Sequence, residues 1–389
     1  MKTVSSIIPM SLVNLLVDDP QPKPKGRVRE QNPDLCMMEI NGIGCLPRDL
    51  IIEILSRLPV KVLCNFKCVS KQWLNTISND TCLLSRHRER SKRNPLLHFR
   101  EYSSGEAIEG NKQKVMVALT SIDMDGTLVN KISVPTGGPV YTFTSCGHLI
   151  VLCCTYRVYV CNPSTREFAR VPRSASVARY QSAGFGCVCA SGVYKIVHLF
   201  LGDHPIGRGE EMGCEIFTLT HGGGVDSASW RRISDCPYRV CTDRPPVSVN
   251  GVIYWMMMMS CESIVFFDLE KEEFGKISHP KFNFWFLTGL KGSLCLVDCS
   301  TTPSIMDVWM LKDCRDSIWV KEYSISLFPC EIRSVVPYDD NNGEIFLVSE
   351  QKGLICHNID NKTFRVSENS GLMERYKMPC LYYGSFFSL

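Results

Sequence analysis

The chain has 389 residues, of which 44% are hydrophobic and 21% charged, and its formal net charge is +3 at pH 7. This composition is ordinary for globular domains and argues against a fibrous chain, while the length is sufficient for two or more domains. The net charge is too small to indicate a nucleic-acid-binding or membrane-surface protein.

Residues 1–44 are predicted to form a disordered N-terminal tail. An apolar patch runs from Ile7 to Val17, but Pro9 interrupts it and two aspartates follow it, which is unlike a signal peptide. The patch is also far shorter than the roughly 20 apolar residues that a membrane-spanning helix needs. The Pro- and Lys-rich stretch that follows is typical of a solvated linker. A short partner-binding helix at Ser11 to Val17 is the alternative to a frayed leader.

Three short helices are predicted after the tail. Pro47 suits the first position of a helix, where its missing N–H would have no partner, and Pro59 closes that helix. Val60 to Lys67 form the second helix, and Ser70 has the place of an N-cap for the third, Lys71 to Ile77. So small a unit exposes more apolar surface than it buries, so it is expected to pack against a partner.

The first predicted helix carries a broad apolar stripe. Helical spacing places these residues on one side: Leu46, Leu50, Ile51, Ile54, Leu55 and Leu58. Arg48, Glu53 and Arg57 are left facing water. The stripe is the expected partner-binding side of the helix.

The segment LPRDLIIEILSRLPVKVL, followed by FKCVSKQW, resembles the F-box of plant F-box proteins. The resemblance implies that this segment docks on the SKP-type adaptor of an SCF ubiquitin ligase. The implied adaptor-binding residues are Leu46, Pro47, Leu50, Ile54, Leu55, Leu58, Pro59, Phe66, Val69, Ser70, Lys71 and Trp73. The same residues, with Leu63 and Cys68, carry the match. An amphipathic three-helix bundle without an adaptor is the alternative.

A basic segment follows the predicted helices. Its cations stand against the single acid Glu89, and they are Arg86, Arg88, Arg90, Lys92 and Arg93. We expect a solvated helix face leading out of the F-box, with a nuclear signal or a phosphate-contacting patch as alternatives. No aromatic residues are interleaved for base stacking, so the segment does not predict a nucleic-acid partner.

From Asn94 onward the pattern changes to strands. Five times a Gly-led turn opens an apolar run, at Gly147, Gly192, Gly251, Gly292 and Gly343. A second, more alternating strand follows each run, and polar turn clusters then precede the aromatic residues Phe168, Phe274 and Phe364. The repeating unit is therefore a β-meander of about 50 residues.

One such meander cannot bury both of its faces, so copies must stack, and a ring of stacked meanders is a β-propeller. The Gly-led strands are expected to be innermost, because neighbouring blades would cover both of their faces. A sixth unit is expected from Lys112 to Val134. The C-terminal residues that should complete it are Leu381, Tyr382, Tyr383, Phe386 and Phe387. A pair of β-sandwiches is the alternative.

This second half resembles the F-box-associated, kelch-like domain of plant F-box proteins at Asn162–Pro172, Ala183–Gly186 and Val249–Met256. It lacks the regular Gly-Gly of true kelch repeats. The expected fold class is an α+β multidomain chain, with a short N-terminal three-helix F-box followed by an all-β propeller-like domain. The expected bounds are 1–44 for the tail, 45–93 for the F-box helices and basic exit segment, and 94–389 for the β domain.

No motif predicts catalysis, a cofactor or a metal. His221 and the glycines after it resemble an oxyanion-hole loop, but no G-x-S-x-G supplies a nucleophile. Gly184 and Gly186 lack the third glycine of a dinucleotide fingerprint. The chain has 21 cysteines, yet no C-x-x-C pair and no zinc-ligand spacing. An odd count in a large chain favours reduced thiols and a cytoplasmic or nuclear protein.

Together the two resemblances imply a non-catalytic subunit that recognises substrates for an SCF-type E3 ubiquitin ligase. The F-box would bind the adaptor, and through it a cullin-RING ligase, while the propeller binds an unknown protein target. One alternative is an F-box scaffold that binds the adaptor without directing degradation. Another is a propeller enzyme or glycan binder whose N-terminal helices resemble an F-box by chance. No nucleic-acid or membrane partner is expected.

Overall fold

The computed structural model describes residues 47–103, 116–136, 138–154, 157–174, 181–201, 211–219, 229–258, 263–282, 285–302, 305–326, 332–336, 344–349, 353–366 and 377–385. Contacts divide the chain into two compact units, and the division falls between Lys92 and Arg93. The predicted tail and Leu46 lie outside the described residues.

The first unit has four helices among its described residues, so the predicted three-helix count is not confirmed. They are α1 (Arg48–Leu55), α2 (Val60–Phe66), α3 (Lys71–Asn79) and α4 (Thr81–Lys92). Pro47 and Pro59 directly precede α1 and α2. The additional helix α4 covers most of the basic segment. Asp80 caps it, because its Oδ1 accepts the N–H groups of Cys82 and Leu83, both at 3.0 Å.

The second unit is a six-bladed β-propeller, and each blade is a four-stranded antiparallel sheet. Blade 1 consists, from its first strand outward, of β24 (Lys377–Tyr382), β1 (Leu96–Ser103), β2 (Met116–Ile122) and β3 (Leu128–Pro135). Blade 2 consists of β4 (Val140–Cys146), β5 (Leu149–Cys154), β6 (Arg157–Asn162) and β7 (Glu167–Arg170). Blade 3 consists of β8 (Gln181–Cys187), β9 (Tyr194–Phe200), β10 (Gly213–Leu219) and β11 (Arg231–Arg232).

The other three blades follow the same order. Blade 4 consists of β12 (Val247–Val249), β13 (Val252–Met256), β14 (Ser263–Asp268) and β15 (Glu273–Ser278). Blade 5 consists of β16 (Trp285–Leu290), β17 (Ser293–Thr302), β18 (Ile305–Asp313) and β19 (Ile318–Ser326). Blade 6 consists of β20 (Ile332–Val335), β21 (Glu344–Ser349), β22 (Gly353–Asn358) and β23 (Phe364–Val366).

The ring closes as predicted, because the C-terminal strand β24 pairs with β1 and completes blade 1. Leu381 pairs with Leu97, and Tyr382 pairs with Leu96. Tyr383 follows the strand, and its N–H donates to the carbonyl of Gly147. Phe386 and Phe387 lie outside the described residues.

The Gly-led strands are second in their blades, so the prediction that they are innermost was wrong. The first strands of neighbouring blades contact one another, as β4 does with β24 and β8. Two of these first strands give a weak sequence signal because they are short or rich in small residues. β12 has only three residues, and β8 contains Gly184 and Gly186 rather than a continuous apolar run.

The Gly-led turns themselves are confirmed. Gly147, Gly192, Gly251 and Gly292 have φ between +60° and +79°, a region that favours glycine. Asn250 also has a positive φ, of 47°, so Asn250 and Gly251 form the type of two-residue turn that suits a tight β-hairpin. Gly343 lies outside the described residues.

Apolar clusters fill the gaps between neighbouring blades. Blades 2 and 3 meet through residues such as Val151 and Phe217, and blades 3 and 4 through Val197 and Trp255. Each sheet is thus buried on both faces by its neighbours, which rules out the pair of β-sandwiches. Gly184 and Gly186 belong to this packing, because a Cβ at either position would lie 2.6 Å from a side chain of blade 4.

Candidate functional site

Helix α1 is apolar on two sides. Ile51, Ile52 and Leu55 are buried in the first unit, whereas Leu50 is 50% exposed and Ile54 45% exposed. Leu50 and Ile54 are four residues apart and therefore share a face of the helix. Large apolar side chains left in water on one face are typical of a surface that a partner covers.

Leu55, which was predicted to bind the adaptor, is only 2% exposed and belongs to the buried residues of the first unit. Of the other predicted adaptor-binding residues near α1, Pro47 and Pro59 are exposed and Leu58 is half-buried. Leu46 lies outside the described residues. These roles in adaptor binding stay predictions.

The second part of the predicted site surrounds the start of α3. Ser70 is confirmed as an N-cap, since its Oγ accepts the N–H of Trp73 at 3.1 Å. Trp73 is half-buried and meets Phe66 edge-on, with ring centroids 5.6 Å apart. Val69 and Lys71 are exposed. The cap therefore fixes the start of α3, and Trp73 in its first turn contacts Phe66.

One exposed apolar residue was not among the predicted adaptor-binding residues. Leu74 on α3 is about as exposed as Val69. Leu74 follows Trp73 directly in the predicted third helix, and its apolar side chain could have added it to the set. Leu50, Ile54, Val69 and Leu74 together are called the apolar surface of the first unit.

Glu53 ties α1 to α4. Its Oε1 accepts hydrogen bonds from the Nη2 atoms of Arg90 and Arg57, both at 2.6 Å, and Arg86 lies 3.4 Å from Oε2. The hydrogen bonds from Arg90 and Arg57 lower the pKa of Glu53 to about 2. Part of the predicted solvated face of the basic segment therefore makes an internal ion-pair network instead.

Asp80 and His87 contact backbone groups near the ends of helices. Burial acts to raise the pKa of Asp80, but hydrogen bonds from the Leu83 N–H and from Arg48 outweigh it and lower the pKa. The buried His87 lies with Nε2 3.2 Å from the carbonyl oxygen of Leu58, and burial lowers its pKa. A neutral His87 can thus donate to the turn after α1 near neutral pH.

Within the described ranges, no group of three or more His, Cys, Asp or Glu side chains is placed to hold a metal ion. None of the helices in that part of the chain has the length and apolar character that crossing a bilayer requires. The loop at His221 lies outside the described residues. The first unit has exposed apolar side chains on helices that the ion pairs of Glu53 connect.

Comparison with known proteins assigns both units. Residues 108–385 match the F-box associated beta propeller domain, and residues 43–84 match the F-box domain. An F-box/LRR-repeat protein of Arabidopsis thaliana is 29% identical over 324 residues, which cover 77% of this chain and 69% of the relative. An F-box protein of the same organism is 26% identical over 347 residues, covering 81% of this chain and 89% of the relative.

Among solved structures, TolB from Acinetobacter baumannii has a TM-score of 0.43 at 12% sequence identity. The match covers 80% of this chain and 70% of the TolB chain. The family match spans more than half of the chain and includes strands of every blade. The chain therefore belongs to the family of proteins with an F-box-associated β-propeller domain, and it carries an F-box ahead of that domain.

Proposed function

We propose that the protein is the substrate-recognition subunit of an SCF-type E3 ubiquitin ligase. The F-box docks on a SKP-type adaptor and, through it, on a cullin-RING ligase, while the propeller binds a protein target. The observation that carries the proposal is the apolar surface of the first unit, which lies within the F-box match. A few central apolar anchors usually supply most of the energy of such an interface.

The protein does no chemistry of its own in this proposal. It holds an acceptor lysine of the target near a charged ubiquitin carrier, which replaces a bimolecular encounter by an effectively intramolecular one. No cofactor, nucleic acid or membrane takes part. The proposed location follows from this role and is the cytoplasm, the nucleus or both.

Adaptor capture by a double variant tests the proposal. Changing Leu50 and Ile54 to Asp places two charges on the apolar surface without touching the core of the first unit. Loss of anchors of this kind costs on the order of 2 kcal/mol each, or about thirtyfold in affinity per site. The double variant should therefore fail to capture the adaptor, retain its target and raise the abundance of that target.

Ile318→Asp is the matched control, because Ile318 is 47% exposed and lies on the propeller strand β19. It should capture the adaptor as the wild type does. Wild-type capture by the Leu50/Ile54 double variant would contradict the proposed docking. If the wild-type protein binds the adaptor but leaves the half-life of its captured target unchanged, the scaffold alternative is supported instead.

A further inference from the structure

Two arginines lie together at one end of the gap between blades 1 and 2. Arg170 on β7 pairs with Tyr159 on β6, and Arg157 lies two residues before Tyr159, so all three belong to one face of the sheet. Both arginines are exposed. Arg157 Nη1 donates to the hydroxyl of Tyr159 at 3.5 Å. Among the described residues, neither arginine forms an ion pair with a carboxylate.

A third guanidinium adds to this positive charge. Arg100 on β1 of blade 1 donates from Nη1 to the carbonyl of Val140 at 2.7 Å. Burial raises the pKa of the nearby Cys154 thiol to about 12. A hydrogen bond with Thr136 and the positive charges of Arg157 and Arg100 act in the opposite direction and lower this pKa. Charges from two blades thus converge on one thiol, and they form a local field that favours an anion.

Apolar side chains of both blades lie beside this basic end, and the surface between β3 and β7 that they form is called the groove. Phe168, two residues before Arg170 on the same face of β7, is about half exposed. Ile132 of β3 packs against the cluster that blades 1 and 2 share. Asn130 Nδ2 donates to the carbonyl of Pro163 at 3.1 Å and bridges the two blades. The groove therefore has apolar sides and a strongly basic end.

The acidic residue nearest in sequence to Arg170 is Glu167, which lies at the other end of β7. Glu167 Oε2 accepts a hydrogen bond from the hydroxyl of Thr165 at 3.2 Å. Glu167 pairs with Asn162, three positions along the ladder from the Tyr159–Arg170 pair. The charge of the groove is thus positive at the Arg157/Arg170 end, and complementarity requires an anionic occupant there.

We propose that this groove binds an extended segment of the protein target that carries an apolar side chain and, two residues away, a carboxylate or phosphoryl group. In an extended segment such side chains share a face about 7 Å apart, which matches the step from Phe168 to Arg170. Guanidinium groups bind carboxylates and phosphoryl groups in the same bidentate manner. The inference rests on the proposed function and names the class of target segment.

Three labelled peptides test the proposed occupant on the full-length protein. Fluorescein-labelled peptides with the cores Leu-Gly-Glu, Leu-Gly-phosphoserine and Leu-Gly-Gln are titrated by fluorescence anisotropy. We expect one or both anionic peptides to bind at least about tenfold more tightly than the Gln peptide, because charge-assisted hydrogen bonds are strong. The Glu and phosphoserine peptides separate the two sources of the anion. A Leu-Glu peptide with adjacent residues should bind more weakly than Leu-Gly-Glu.

Variants of the protein locate the binding. Arg157→Gln and Arg170→Gln should each weaken the anionic peptides about tenfold, and Phe168→Thr should weaken all three. Arg315→Gln removes an exposed arginine from the turn between β18 and β19 and should change nothing. Failure of both anionic peptides to saturate the protein, or wild-type binding by Arg170→Gln, overturns the groove proposal. Adaptor capture is measured on the same preparations. If adaptor capture is retained, a failure of the peptide experiment overturns only the groove proposal. If adaptor capture is lost, the proposed function is refuted.

Discussion

At the scale of single residues, Glu53 shows how one acid can organise the charges of a small helical unit. The sequence predicted that Glu53 faces water, but in the structure three arginines surround it. Arg90 and Arg86 come from α4, more than 30 positions further along the chain. Helical periodicity carries no information about such a partner, because it reports which side of one helix is polar and not what lies opposite.

Neutralising Glu53 should change the stability of the first unit in a pH-dependent way. The pKa of Glu53 is lowered from an ordinary value of 4.5 to about 2, so the charged form stabilises the fold above the unfolded-state pKa. This contribution is lost as the pH falls from about 4.5 through about 2. Glu53→Gln should therefore speed amide hydrogen exchange in α1 and α4 at neutral pH, and its difference from the wild type should shrink at acid pH.

Glu89→Gln is the control for this prediction. Glu89 forms an exposed i,i+3 pair with Lys92, and exposed pairs contribute little to stability. Hydrogen exchange, corrected for the intrinsic pH dependence of the rates, should be nearly unchanged in this variant. An effect of Glu53→Gln that persists undiminished below the folded-state pKa would argue against an ionic origin.

The neighbours Ile54 and Leu55 mark the limit of sequence reasoning at this scale. Both belonged to the predicted apolar stripe, yet Ile54 is exposed and Leu55 buried. α1 has apolar residues on most of its sides, so the pattern alone cannot tell the inward face from the outward one. The apolar character of both positions, the start of a helix next to Pro47 and the cap at Ser70 could be predicted because they depend on local chemistry.

At the scale of elements, close contact between blades depends on Gly184 in β8. A Cβ there would lie 2.6 Å from Ile253 Cγ2 and Trp255 Cζ2 of blade 4. Both neighbours belong to the buried cluster between blades 3 and 4. Trp255 is also held by its indole N–H, which donates to the hydroxyl of Ser182 at 3.2 Å. The neighbouring side chains therefore have little room to move away.

Gly184→Ala should destabilise the propeller by about 1–3 kcal/mol, since overpacking of a dense interior forces side chains off their preferred rotamers. Gly138→Ala is the matched control, because no atom lies within 4 Å of its added Cβ. That change should be neutral or slightly stabilising, by up to about 1 kcal/mol. Denaturant unfolding of the two variants measures the contrast. Equal stability would mean that blades 3 and 4 can move apart.

The strands of the propeller were partly predictable for a related reason. Turns such as Asn250-Gly251 and the apolar runs behind them have local signatures, and the structure places strands there. First strands such as β8 and β12 have no such signature. Near the ring axis, small residues such as Gly184 replace the apolar alternation, and only the packing of neighbouring blades reveals why.

At the scale of the whole molecule, one residue of the C-terminal strand joins blade 1 to blade 2. The hydroxyl of the fully buried Tyr382 donates to Asn162 Oδ1 at 2.5 Å and lies 2.8 Å from Ser164 Oγ. The backbone N–H of Ser164 also donates to this hydroxyl, at 3.1 Å. Asn162 and Ser164 belong to the turn that the sequence singled out after β6. Its polar residues therefore hold the closing strand as well as forming the turn.

Removing the closing strand should destabilise the whole ring rather than one blade. Deletion of Cys380 to Leu389 removes the buried side chains of Cys380, Leu381 and Tyr382, and each large buried side chain contributes about 1.5–3 kcal/mol. The remaining edge of β1 would also lose its ladder to β24. Thermal unfolding of the truncated protein should therefore begin several degrees lower and involve the propeller as a unit, since ΔΔG of a few kcal/mol shifts the midpoint by this amount in a domain of such size.

Tyr382→Phe isolates the polar part of the closure, because it keeps the ring and removes only the hydroxyl. It leaves the buried groups of Asn162 and Ser164 without that partner, so a loss of about 1–3 kcal/mol is expected. Tyr323→Phe is the control, since the Tyr323 ring packs against the cluster between blades 5 and 6 and no hydroxyl hydrogen bond is found for it among the described residues. That variant should unfold like the wild type. If Tyr382→Phe also does, or if the truncated protein melts unchanged, closure by β24 does not stabilise the propeller.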